Sequence, residues 1–113
     1  MVVNKSEMTV EVREQMRGGK LHAEITKLAG ELPAAMRLFA TIRLIPGASI
    51  GYHVHENETE LFYFVSGSGK VMDDECEKAV KAGDSMLTFP GHGHAVENDG
   101  AEDLVLVAAI VKE

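Results

Sequence analysis

The chain has 113 residues, of which 45% are apolar and 26% charged, with 11 Lys and Arg against 18 Asp and Glu for a net charge of −7. That is one domain, long enough to bury a core without staples, and its acidic balance argues against nucleic-acid or anionic-membrane partners, which need clustered Lys and Arg. Cys76 is the only cysteine, so no internal disulfide is available; no apolar run approaches the roughly 18 residues of a membrane helix, and "MVVNKSEMTV" resembles no signal peptide, so a cytoplasmic location is expected.

In chain order, "MTVEVREQM" alternates as a strand does, with Met8, Val10, Val12 and Glu14 on one side, although a short helix fits too, and Gly18-Gly19 ends it. "LHAEITKLAGELPA" reads as a short strand or turn, so residues 1–30 form an N-terminal strand or arm ahead of a barrel core over 36–111. "MRLFATIRLIPG" puts Met36, Leu38, Ala40, Ile42 and Leu44 on one face and Arg37, Phe39, Thr41 and Arg43 on the other, a half-buried strand closed by Pro46-Gly47. On that parity Arg37 and Arg43 point outward, into salt bridges or a dimer seam. Glu60 to Val65 is a run of strand formers ended by Ser66-Gly67-Ser68-Gly69, and Lys70 to Lys81 reads as a hairpin about an acidic turn, Asp73-Asp74-Glu75. "DSMLTFPG", "HAVEN" and "LVLVAAIV" are the remaining strands. Short strands with a turn signal about every ten residues describe an all-β sandwich or barrel in one domain, 1–113. "LFYFV" and "LVLVAAIV" are apolar on both alternating faces, so a second subunit is expected over the outer one, as a homodimer.

The chemistry concentrates in "GYHVHENETELFYF". His53 and His55, two apart on a strand, point the same way with backbones about 7 Å apart, close enough for both imidazoles to reach one ion. Gly51 leaves room beside them. Glu60 follows on the next strand, and its parity partners Phe62 and Phe64 would line the same cavity. A further ligand must come from His22, His92 or His94, and His94, just past the Pro90-Gly91 turn, is best placed. A lone strand histidine is more often a surface residue than a ligand. The spacing of the pair, the glutamate and the later histidine together raise the metal reading to an even one.

On these residues the chain resembles the cupin family. The family's first motif is a glycine, five residues, His-x-His, three or four residues, Glu, six residues and a glycine, filled here by Gly47, His53, His55, Glu60 and Gly67. The second is a glycine, five residues, Pro-x-Gly, two residues, His, three residues and Asn; Gly83, Gly91, His94 and Asn98 fall in register, while the proline slot holds Phe89, with Pro90 one place later. The resemblance implies a double-stranded β-helix, or jelly-roll β-barrel, commonly dimeric. It also implies that His53, His55, Glu60 and His94 hold a divalent ion.

Three imidazoles and a carboxylate suit Mn, Fe, Co, Ni or Zn, one per chain, and six-coordinate geometry leaves two positions for water, dioxygen or a small oxygen-bearing substrate. The free ring nitrogens need acceptors, for which Thr59, Thr88 and backbone carbonyls are candidates. Small cupins resemble parts of dioxygenases, oxalate decarboxylases and sugar or keto-acid isomerases, so an enzyme of one of these types is one expectation and a non-catalytic small-molecule or metal-binding module the other. His92, Glu58 and Glu56 are candidate general acids or bases, each weighed against the commoner role of a solvated rim residue. Met86, with Met36 and Met72, is a candidate for the pocket wall, although methionine is more often a core filler.

Overall fold

The computed structural model describes residues Met1–Glu113. Ten strands account for most of it: β1 (Thr9–Glu14), β2 (His22–Lys27), β3 (Met36–Leu44), β4 (Ser49–Val54), β5 (Glu58–Ser66), β6 (Ser68–Asp73), β7 (Cys76–Lys81), β8 (Ser85–Thr88), β9 (Gly93–Glu97) and β10 (Leu104–Lys112). They form a six-stranded sheet, β1-β2-β3-β10-β5-β8, facing a four-stranded sheet, β4-β9-β6-β7. Every neighbouring pair is antiparallel. This is the all-β sandwich that the alternation and turn spacing call for, in the double-stranded β-helix form that the family resemblance implies.

The period-two pattern decides what is inside. β10 lies between β3 and β5; its Leu104, Leu106, Ala108 and Ile110 are buried, and the intervening residues Val105, Val107, Ala109 and Val111 are half-buried on the outer face. β3 buries Ala40, Ile42 and Leu44 against the same core, and β5 contributes Phe62 and Phe64. The segment that could have been helix or strand at the N-terminus is β1, paired along its full length with β2, and β2 adds Ala23 and Ile25 to the core.

The chain changes sheets at the motif glycines. Gly47 lies between β3 and β4, Gly67 between β5 and β6, Gly83 between β7 and β8, and Gly91 between β8 and β9, each crossing joining the two sheets. All four take positive φ, from 85° to 96°, the left-handed region that is cheap only without a Cβ. At Gly67 space matters as well, since a Cβ there would sit 2.3 Å from the Asp103 carbonyl oxygen. The last motif residue, Asn98, is fully buried and works as a tie: its side-chain amide donates to the carbonyls of Leu44 and Glu102, and its Oδ1 accepts from Gly100 N–H. The motif spacing therefore records where the roll folds over, and the site sits between two such crossings.

Candidate metal centre

Four strands or strand ends deliver the site. Glu60 stands on β5, directly across from Thr88 on β8, in the six-stranded sheet. His53 on β4 is paired with His94 on β9 in the four-stranded sheet. His55 lies just beyond the end of β4, held by its own backbone: its N–H donates to the His92 carbonyl at 3.1 Å, and its carbonyl accepts from Gly91 N–H at 2.7 Å. A bulge between Ile50 and His53 lets both residues face inward although they are three apart.

The side chains meet at one point. His55 Nε2 is 3.0 Å from His94 Nε2, and His94 Nε2 is 3.2 Å from His53 Nε2. Glu60 Oε1 lies 2.9 Å from His55 Nε2 and 3.0 Å from His94 Nε2. One ligand atom from each of the four residues falls within 4.8 Å of all the others. Neighbouring donors on an octahedral ion with bonds of about 2.1 Å are about 3.0 Å apart, and on a tetrahedral one about 3.4 Å. The observed 2.9–3.2 Å contacts are of the size that neighbouring donors on one ion have.

The other ring nitrogens fix what these atoms present. His53 Nδ1 donates to the Gly51 carbonyl at 2.8 Å, and His55 Nδ1 donates to Glu58 Oε2 at 2.7 Å. Neither partner can donate in return. His94 Nδ1 lies 2.8 Å from the buried Thr88 hydroxyl, whose oxygen can accept its hydrogen. With each Nδ1 carrying its hydrogen, three Nε2 lone pairs and a carboxylate oxygen face one another across 3 Å in a site where His55 and His94 are 3% and 1% exposed. A divalent ion at the point they share satisfies that set, and the residues fit one on this ground. Of the two threonines proposed as acceptors, Thr88 serves; the Thr59 hydroxyl is buried without a partner.

Electrostatics follows the same geometry. Burial brings His53 down to about 4, opposed by its bond to Gly51 and assisted by the nearby charges of His94, Arg17 and His55. His55 is raised, first by its bond to Glu60 and then, against burial, by Glu58. Burial works to raise Glu60, but the bonds from His55 and His94 outweigh it and hold the carboxyl below its ordinary range. Glu58 is brought to about 2, chiefly by Arg37, which reaches its two oxygens with Nε at 2.8 Å and Nη2 at 2.7 Å. Arg37, exposed as its parity requires, thus grips Glu58, and Glu58 grips His55.

The sequence-predicted residues separate clearly. Phe62 lines the cavity and stacks on the His94 ring, centroids 5.0 Å apart and planes 9° from parallel. Phe64 and Met86 are buried in the core behind it, and Gly51 borders an adjoining groove. His92 is a rim residue, 2.6 Å from Asp74 through Nδ1, and touches the site through its backbone. Glu56 is exposed and away from the cavity, and Glu58 is committed to Arg37 and His55. The cavity above the ligands measures about 90 Å³, room for a compact molecule of a few heavy atoms. Arg13, Arg17 and Lys27 border it, with Glu11. Sequence reasoning passed over all four; "REQMRGGK" was informative only through its glycines.

The fold and this centre define a cupin. The cupin domain model matches residues 40–110, and the chain belongs to that family. It is 41% identical over 113 residues to an oxalate-binding protein of Thermotoga maritima, covering 98% of this chain and 93% of that protein. It superposes with a TM-score of 0.95 and 40% identity, over the whole of both chains, on a Thermotoga maritima crystal structure described as a predicted oxalate decarboxylase. A cupin 2 conserved barrel domain protein of Rhodopseudomonas palustris shares the fold at a TM-score of 0.77 and 14% identity, covering 99% of this chain and 78% of that one. No helix is long and apolar enough to cross a membrane.

Proposed function

We propose that this cupin binds a small dicarboxylate of the oxalate class on a divalent transition metal held by His53, His55, Glu60 and His94. The observation that carries the reading is the convergence of three Nε2 lone pairs and Glu60 Oε1 on one point, each histidine locked by an acceptor at Nδ1. A bound ion would supply open positions to which adjacent carboxylate oxygens could chelate. The relative's name as an oxalate-binding protein supports the ligand class, as do the small cavity and its cationic rim. Calorimetric titration of oxalate into the protein loaded with Mn(II) or Co(II), beside the metal-free protein, tests it. Metal-dependent saturable binding is expected, and equal heats with and without metal would refute it. Elemental analysis of protein purified without added metal or chelator identifies the ion.

A second reading is turnover, favoured by the description of the Thermotoga structure as a predicted oxalate decarboxylase. Losing carbon dioxide from oxalate leaves a carbon that must take a proton to become formate. Outside the ligand set, the carboxylate at the cavity is Glu11, which Arg13 at 2.8 Å and Lys27 at 3.8 Å hold as an anion, so binding is the better-supported function. Formate release from the loaded protein would reverse that choice.

We also propose a second copy of the chain as the cover of the outer face of the six-stranded sheet. One row across it runs Phe39, Ala109, Leu61, Leu87, paired strand to strand. Phe39, Tyr63, Val65, Leu87 and Phe89 are 39–54% exposed. With the half-buried residues between them this is roughly 500–600 Å² of apolar surface, most of the roughly 800 Å² per partner that a standard interface uses.

A further inference from the structure

The cations at the cavity mouth are not equivalent. Arg13 and Lys27 share Glu11, and Arg37 is committed to Glu58. Arg17 alone among the cavity-lining cations has no carboxylate within 4.0 Å. It stands on the 3₁₀ turn Met16–Gly18, a strap between β1 and β2 that crosses the β4 backbone. The crossing leaves no room for side chains: a Cβ on Gly51 would lie 2.1 Å from the Arg17 carbonyl oxygen, and one on Gly19 would lie 2.0 Å from the Ser49 carbonyl oxygen. The strap is also strained, with Gln15, Arg17 and Leu21 all in the left-handed region at φ 47°, 55° and 55°. Such conformations cost about 1–3 kcal/mol each and persist where the surroundings impose them. Two glycines and three unfavourable backbone conformations are spent to hold one short segment against the edge of the cavity, and the charged group it carries there is unpaired.

We propose that Arg17 is the distal anchor of the ligand site, receiving the outward-facing carboxylate oxygens of a dianion that chelates the metal. The inference rests on the reading of the site as a metal-dependent carboxylate binder and adds a specificity to it, preference for dianions over monoanions. A guanidinium suits the role because its planar fork meets a carboxylate with two parallel N–H donors, and the strap fixes its base while leaving the head free.

The test is calorimetric titration of Co(II)-loaded wild type, Arg17→Ala, Arg17→Lys and Lys20→Ala with oxalate and with formate. Lys20 is a like charge just after the strap that borders the adjoining groove instead of the cavity. Arg17→Ala is expected to lose oxalate affinity about 10- to 100-fold, as for removal of a hydrogen-bonded charge. Its formate and Co(II) affinities should stay within about twofold of wild type, Arg17→Lys should recover part of the loss, and Lys20→Ala should stay near wild type. An Arg17→Ala protein that binds oxalate like wild type, or loses formate equally, overturns the anchor, and so does an equal loss in Lys20→Ala. Wild type that binds no oxalate when loaded overturns the underlying reading instead.

Discussion

Replacing Glu58 by alanine removes one acceptor and leaves all four ligand residues in place. Its Oε2 takes the His55 Nδ1 hydrogen at 2.7 Å, with Glu58 14% exposed and His55 3%. The loss leaves an N–H without an acceptor in a nearly closed site and frees the ring to adopt the tautomer that points its hydrogen at Glu60 and His94. A hydrogen bond to a charged partner contributes about 1.5–3 kcal/mol. At about 1.4 kcal/mol per decade that is a 10- to 100-fold loss of metal affinity, in line with removal of such outer partners in other metal sites. Glu58→Gln keeps a carbonyl oxygen at the same reach without the charge, so it should recover about half of the lost free energy. Arg37→Met, which leaves the carboxylate but releases it from its fork, should fall between wild type and Glu58→Ala. Competition for Zn(II) against a chromophoric chelator near neutral pH measures all four affinities, and unfolding of the metal-free proteins in urea separates a folding defect from a ligand defect. Glu58→Ala within about twofold of wild type, with the fold intact, would show that His55 needs no orienting carboxylate and that the tautomer argument is mistaken.

Three further outcomes follow from packing. Phe64→Ala should destabilise the metal-free protein by about 3–5 kcal/mol in urea, because a fully buried ring in edge contact with Phe62 leaves a cavity; a cost below about 1 kcal/mol would contradict its burial. Gly51→Ala should cost about 1–3 kcal/mol by forcing the strap off β4, whereas Gly18→Ala, with φ +80° and nothing within 4 Å of its Cβ position, should cost about 1 kcal/mol through backbone strain alone, and equal costs would refute the close crossing. The pair Leu61→Lys and Leu87→Lys places two cations on one row of the outer sheet and should convert a dimer to a monomer in sedimentation; wild type already monomeric would remove the proposed interface.

Much of this was legible because strand chemistry is local. Alternation in "MRLFATIRL" and the parity of Glu60 with Phe62 decide which side chains face in, and both hold in the structure. The four residues of the candidate centre could be singled out from spacing and the family resemblance together, because a β-bulge and a sheet crossing do not alter residue identity, only direction. What stayed hidden was long-range. Glu58 looks like a rim acid from its neighbours, and only the approach of Arg37, 21 positions earlier, makes it a committed carboxylate. Arg17 sits in a stretch whose visible signal is two glycines; that the missing Cβ of Gly19 admits the backbone of β4 is a fact about another strand. Phe64 shares parity with Phe62, but parity fixes a face and says nothing about depth along the strand, so one ring borders the cavity and the other the core.

The arrangement of these partners has a consequence for where sequence change can be absorbed. Glu60 and Thr88 come from one sheet, His53 and His94 from the other, and each sheet holds the histidine geometry in part through the other: Thr88 orients His94, and Phe62 on β5 stacks on the same ring. A relative shift of the sheets by 1 Å would therefore disturb ligand spacing and tautomer control together. The buried tie at Asn98, joining the end of β9 to Leu44 at the end of β3, opposes such a shift from the far side of the roll. The rim bears no such constraint. Exposed cations on β1, β2 and the strap can change without moving a ligand atom, so ligand selectivity can vary on this scaffold at fixed metal affinity, which is the separation the Arg17 titrations measure.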